Sequence, residues 1–258
     1  MRSELGNPPG FIRGDGVERI LLLGGTTEAR RLAGLLAGDH TVITSLAGRT
    51  SDPLRPAGDL RIGGFGGVDG LAGYLRDAAI DVVVDATHPF AATMSGHAAG
   101  ACAAVGVPLL AVRRPGWTAG PGDQWHRVAS LPAAAGLLPR LGRRVFLTTG
   151  RQGIAAFAGL DECWFLARSV EPPTGVTPRN LQVLLDRGPF AVPGERELML
   201  RHRIGVLVTK DSGGSRAKLV AAGELGVPVI VVDRPPVPDV PAVPTAEDAV
   251  IWLRARAR

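Results

Sequence analysis

Cysteine is nearly absent from this 258-residue chain: there are two, Cys102 and Cys163. They lie far apart without metal-type spacing. That excludes a disulfide framework and a paired-cysteine metal site, and it fits a reducing compartment. Aromatic residues are scarce at 5% and are not interleaved with basic clusters, and no nucleic-acid-binding motif is present. No apolar run reaches the ~18 residues of a membrane-spanning helix. The opening "MRSELGNPPGFIRGDGVE" lacks the apolar centre of a signal peptide, so 1–18 reads as a flexible lead-in. HExxH, a Ser-His-Asp order and the Walker A spacing are all missing, which leaves hydrolase and metalloenzyme readings without support; no metal is expected. The expectation is a cytoplasmic protein with no membrane and no nucleic-acid partner, monomeric in the favoured reading.

What is present is aliphatic and basic. Hydrophobic residues reach 45%, enough to bury a sizeable core. The 35 glycines and 21 prolines sit between apolar runs and read as turn punctuation in a fold of many elements. Twenty-nine basic residues oppose 24 acidic ones, for a net charge of +5. Such a balance permits nucleic acid, a membrane surface or an acidic small molecule. The excess is mostly arginine dispersed along the chain, which suits a polyanionic ligand about as well as DNA.

Short Val/Ile/Leu runs at 19–24, 41–46, 81–85 and 107–112 alternate with helix-like stretches at 27–37, 68–79 and 90–105. Continuous apolar strands alternating with helices predict a parallel sheet covered on both faces. The Gly/Pro-rich "RRPGWTAGPGDQW" (113–125) interrupts the pattern and reads as a linker over 114–124. Alternation then resumes. Strands are expected near 125–129, 143–148, 163–168, 188–191, 205–209 and 227–232. Helices are expected over 130–140, 151–158, 177–186, 194–203, 214–225 and 245–257. The predicted fold class is α/β: two Rossmann-like open parallel-sheet domains, 19–113 and 125–258, with an inter-domain cleft. Ligands in such folds bind beyond the carboxyl ends of the strands.

The first strand ends in Gly24, Gly25, Thr26, Thr27 and Glu28. Against a G-x-G-x-x-A turn, Thr26 replaces the glycine that lets the backbone approach a pyrophosphate. The helix N-terminus still offers N–H groups to an anion, and the same residues would also make a plain capped turn. About 20 residues on, a NAD site carries an acidic residue; here stand Thr44, Ser45 and then Arg49. If this half holds a dinucleotide, a hydroxyl and an arginine favour the 2′-phosphate of NADP(H), although Arg49 could equally be a surface residue. "DATHPFA" places Asp85 and His88 at the third strand's end, with Pro89 and Phe90 starting a helix. "TTGRQG" puts Gly150 and Arg151 at a comparable junction. "VTKDSGGSRAKL" gathers Lys210, Ser212, Gly213, Gly214, Arg216 and Lys218 on one turn, a phosphate or carboxylate site by composition.

Taken in order, "LLLGGTTEAR", "SLAGRT", "DATHPFA", "LTTGRQ" and "VTKDSGGSRAKLVAAGELGVPVIVV" resemble the precorrin-6A reductases of cobalamin biosynthesis over about residues 19–235. The resemblance implies NADPH as hydride donor, the polycarboxylate tetrapyrrole precorrin-6A as substrate, and addition at C19 of the ring to give precorrin-6B. Carried over residue by residue, it places the turn at 24–28, Arg49, the segment 88–90 and the late turn from Lys210 to Lys218 at the site. Ser45, Gly150 and Arg151 join the expected cofactor contacts. Arg168 joins His88, Pro89, Phe90 and Lys218 as expected substrate contacts. His88 and Lys210 are the candidate proton donors. Three other classes compete: a non-catalytic NADP(H) sensor, a nucleic-acid binder, and another NADPH reductase on the same fold.

Overall fold

The computed structural model describes residues 17–48 and 54–256. The first half runs β1 (Arg19–Leu23), α1 (Thr27–Leu36), β2 (Thr41–Leu46), β3 (Asp59–Ile62), α2 (Gly67–Asp77), β4 (Val82–Asp85), α3 (Ala92–Val105) and β5 (Leu109–Val112). The second runs β6 (Trp125–Val128), α4 (Leu131–Leu141), β7 (Arg144–Thr148), a 3-10 segment (Arg151–Phe157), β8 (Trp164–Ser169), β9 (Leu181–Leu185), α5 (Val192–Arg201), β10 (Val206–Lys210), α6 (Ala217–Glu224) and β11 (Val229–Val232). The chain closes with β12 (Ala242–Val243) and α7 (Ala246–Arg256).

Two parallel six-stranded sheets result, in the orders β12-β5-β4-β1-β2-β3 and β6-β11-β10-β7-β8-β9. Each is the doubly wound order 3-2-1-4-5-6 of a Rossmann-like sheet. The sixth strands are exchanged. β6 follows β5 in the chain but pairs with β11, and β12 returns to pair with β5. α7 then packs beside α1. The expected C-terminal unit of 125–258 is therefore corrected: residues 242–256 complete the first sheet. Two residues between prolines carry no strand pattern, so this return was invisible in the sequence.

The aliphatic strands explain themselves. Leu21, Leu22, Val83 and Leu110 in one sheet, and Phe146, Val208 and Ile230 in the other, are fully buried. α1 and α7 cover one face of the first sheet while α2 and α3 cover the other. α4 and the 3-10 segment cover one face of the second, with α5 and α6 opposite. Continuous apolar strands fit a sheet buried on both sides.

Two expected elements change. Leu181–Leu185 form strand β9 at a sheet edge where a helix over 177–186 was expected. Leu181 and Leu184, three apart, mimic helical spacing but pack on opposite faces of the sheet. The expected strand at 188–191 is the loop before α5; Pro189 has no N–H to give a ladder. β3 was not anticipated, being a four-residue edge strand.

Candidate functional site

The order of each sheet reverses at one point: between β1 and β4 in the first, and between β7 and β10 in the second. At such points neighbouring connections leave on opposite faces and open a crevice. At the first, Thr26 caps α1, accepting from the N–H of Ala29 at 3.1 Å. Its hydroxyl donates to the carbonyl of Ala86 at 2.8 Å, tying the glycine turn to the end of β4. That hydroxyl is therefore occupied by the fold. Gly24 is small because a Cβ would lie 2.8 Å from Thr44 of β2, whereas Gly25, at φ +108°, faces open space. Backbone approach by a ligand is thus free at Gly25.

The second crevice is a cavity of about 570 Å³. Its wall includes Thr148, Thr149, Gly150 and Arg151 after β7, Arg168 and Glu171 around the end of β8, and Asp186 and Arg187 after β9. Glu195 from α5, with Lys210, Ser212 and Lys218 beyond β10, completes that wall. His88 and Phe90 reach in from the first half. Phe90 packs against the core beneath the second sheet, which seats His88 at the mouth. Two ion pairs cross the wall, Arg151 to Glu171 at 2.6 Å and Arg168 to Glu195 at 2.7 Å. Beyond these pairs the wall carries Lys210, Lys218 and Arg187 against Asp186, an excess of positive charge suited to an anion.

His88 is held by its own loop: Nδ1 accepts from the N–H of Phe90 at 3.2 Å, which leaves the proton of the neutral ring on Nε2. Crowding, then the charges of Arg114, Lys210, Lys218 and Arg234, push the imidazole down to about 4. His88 is exposed, so solvent tempers the burial effect; the four cations act in the same direction. At neutral pH His88 is an uncharged hydrogen-bond donor and not a store of acid. Burial likewise brings Lys218 down to about 8, with Arg168 acting the same way and Glu195 opposing.

Arg114 joins the two crevices. Its Nη1 meets Glu28 at 2.6 Å, and its Nε donates to the carbonyl of Ser212. Burial alone would raise the Glu28 carboxyl, but the Arg114 contact and local hydrogen bonds hold it below its ordinary value. Asp211 braces the late turn against the same linker. Its carboxylate accepts from the N–H of Trp117 at 3.0 Å and from Arg127 at 2.8 Å. Trp117 Nε1 donates to the carbonyl of Gly214 at 2.9 Å. A Cβ on Gly213, at φ +66°, would lie 2.1 Å from the carbonyl oxygen of Pro115.

The expected site residues therefore divide. Gly150, Arg151, Arg168, Lys210, Ser212, Lys218, His88 and Phe90 share the cavity. Gly24, Gly25, Thr26, Thr27, Glu28 and Ser45 gather at the first crevice, where the hydroxyl of Ser45 lies 3.4 Å from Arg61. Gly213 and Gly214 pack on the linker. Arg216 turns towards the Trp125 ring, 5.9 Å away, and does not line the cavity. Pro89 lines a separate small pocket of about 80 Å³. Arg49 lies outside the described residues. Arg114, Asp211, Glu171, Glu195 and Arg61 were missed. Arg114 lies just past the end of β5, after Arg113, so the strand-end rule would have found it had 114–124 not been read as linker.

Fold and site together define a class: a two-sheet Rossmann-like α/β protein with a crevice at each switch point, the second walled by an excess of cations. The family follows from comparison. The chain belongs to the precorrin-6x reductase family CbiJ/CobK, whose profile matches residues 19–254. It is 54% identical over 242 residues to the precorrin-6A reductase of Rhodococcus erythropolis, covering 91% of this chain and 97% of that one. It is 48% identical over 239 residues to that of Mycobacterium tuberculosis H37Rv, with the same coverage. At 30% identity over 234 residues it is similar to the cobalt-precorrin-6A reductase of Priestia megaterium, covering 84% of this chain and 90% of that one. The solved structure of CobK precorrin-6A reductase superposes with a TM-score of 0.87 at 44% identity, covering 93% of this chain and 97% of that one. No described helix is long and apolar enough to cross a membrane.

Proposed function

We infer that this protein is the precorrin-6A reductase of a cobalamin pathway, an oxidoreductase acting on a CH–CH bond, with NADPH as the hydride donor. The observation that carries the activity is family membership over nearly the whole chain, joined to a cavity walled with excess cations at the second crevice. The relatives at 46–54% identity are precorrin-6A reductases, while the cobalt-precorrin enzymes stand at 30%; this supports the metal-free substrate.

The choice of NADPH over NADH rests on the end of β2. Thr44 and Ser45 stand where a NAD site carries a carboxylate, Arg61 lies beside Ser45, and the sequence adds Arg49. The hydroxyl oxygen of Thr44 is buried with no hydrogen-bond partner. A hydroxyl and a guanidinium, with no carboxylate among the described residues at this strand end, support a phosphorylated ribose, although Arg61 also donates to the carbonyls of Gly63 and Gly64. In this reading the first crevice, with Gly25 and the N-terminus of α1, holds the dinucleotide. Arg151, Arg168, Lys210 and Lys218 receive the carboxylates of the macrocycle. When bound, NADPH supplies the hydride. Reduction of a ring double bond also consumes a proton. Lys210, which lies 5.2 Å from the Phe90 ring, is the charged donor proposed at the cavity. Neutral His88 orients the substrate through its Nε2–H.

Both crevices lie within one chain, which supports a monomer, and nothing in the reaction requires a membrane. The test is an anaerobic incubation with and without precorrin-6A. Oxidation of NADPH only when precorrin-6A is present, with a product heavier by two hydrogens, is expected. A protein that binds NADPH but leaves it intact with the substrate present would be a sensor and not a reductase.

A further inference from the structure

The wall of the cavity contains a carboxylate that the reduction does not obviously need. Glu195, in the first turn of α5, is 2% exposed, and neither carboxylate oxygen has a hydrogen-bond partner. The 2.7 Å approach of Arg168 is an ionic contact outside hydrogen-bonding geometry. A buried, incompletely satisfied carboxylate is destabilising and persists where a neighbouring charge compensates it. Arg168 is equally constrained. Its guanidinium lies 3.5 Å over the Phe190 ring and 5.1 Å from Phe146, and its side chain is 8% exposed. The third member is Lys218, in the first turn of α6, whose ammonium also faces the Trp117 ring at 5.0 Å. One carboxylate thus shares the cavity wall with two cations, paired with Arg168 and acting on the charge of Lys218.

We propose that Glu195 is a positioning residue: it pins Arg168 against Phe190 and supplies the counter-charge that lets Lys218 present an ammonium to a ligand carboxylate. This rests on the reading of the cavity as the macrocycle site. Other charges facing Lys218 come from Arg168 on β8 and Arg114 on the linker, both positive, and the nearby His88 ring is neutral. Elsewhere in the cavity, Glu171 pairs with Arg151. Without Glu195 the ammonium would be surrounded by like charge, and Lys218 would lose its proton at a lower pH. The contact with the substrate would be lost with it.

The test uses the full chain in anaerobic steady-state kinetics with precorrin-6A and saturating NADPH across neutral to alkaline pH. Wild-type KM for precorrin-6A should rise as pH passes about 8, where Lys218 discharges. Glu195→Gln should move that rise about one pH unit lower, with KM several-fold higher at its midpoint and kcat much less affected. Glu195→Gln combined with Lys218→Arg, which cannot discharge, should flatten the rise. Glu195→Asp keeps the charge but withdraws it, and should move the rise in the same direction by less. It also carries the test if Glu195→Gln does not fold. An unmoved alkaline rise in these Glu195 variants, when Lys218→Met abolishes it, overturns the role of Glu195 and leaves the cavity reading intact. If Lys218→Met retains the rise, Lys218 is not the substrate contact and the proposal fails, while Arg151 and Lys210 still carry the cavity reading.

Discussion

Arg114→Met removes the guanidinium that bridges Glu28 and the carbonyl of Ser212 while keeping most of the side-chain stem. Charge-assisted hydrogen bonds contribute about 1.5–3 kcal/mol when well buried. The Arg114 and Glu28 side chains are 17% and 28% exposed, so solvent brings the Glu28 contact towards the lower end, about 1.5 kcal/mol. The Ser212 contact adds about 1 kcal/mol. The expected loss is about 2–3 kcal/mol, or a Tm lower by about 5–10 °C for a chain of this size. A double-mutant cycle with Glu28→Gln, read by thermal and urea unfolding, should give a coupling of about 1–2 kcal/mol. The pH dependence adds a second check. Glu28 titrates below its ordinary value of 4.5, so the pair's contribution is complete above that pH and is lost as pH falls through the lowered folded value. The penalty of Arg114→Met should therefore shrink in acid. Coupling below about 0.3 kcal/mol, or a penalty unchanged in acid, would refute the bridge.

Other outcomes follow from the same geometry. His88→Gln should keep turnover at neutral pH within about tenfold, since His88 acts as a neutral hydrogen-bond donor; near-complete loss would restore it as an acid. Its imidazole titrates at 6.5 unfolded and about 4 folded, so its contribution to stability is complete above 6.5 and declines as pH falls through that window. Tm measured over this range should fall less steeply in His88→Gln than in the wild type. Gly213→Ala should destabilise by more than about 2 kcal/mol, because positive φ and the Pro115 carbonyl both oppose a Cβ; a neutral substitution would show that the late turn is not packed on the linker. Asp211→Asn should cost about 2 kcal/mol through its contacts with Arg127 and the N–H of Trp117, measured by urea unfolding.

Much of the fold was legible because parallel strands buried on both faces must be continuously apolar. RILLL, VVVD and VIVV could hardly be anything else. Edge strands escaped for the complementary reason. β9 is half-buried with leucines on alternate faces, β3 has a single partner, and β12 is two residues long. The strand exchange is a tertiary choice that no local pattern encodes. At the site, residues at strand ends were legible by position, so Lys210, Arg151 and His88 met in one cavity. Thr26 was legible as a possible cap of α1, which its bond from Ala29 bears out, but the bond to Ala86 at the end of β4 was not. Glu195 was hidden because it gains meaning from Arg168 on another element, and Arg114 because 114–124 read as a linker.

The most direct test of the account compares NADPH and NADH in anaerobic reduction of precorrin-6A, following cofactor oxidation together with product mass. The account predicts stoichiometric NADPH oxidation, a product heavier by two hydrogens, and kcat/KM at least about tenfold lower with NADH, equivalent to about 1.4 kcal/mol for the ribose phosphate contacts. Equal kinetics with the two cofactors, or no oxidation of either in the presence of precorrin-6A, would contradict it.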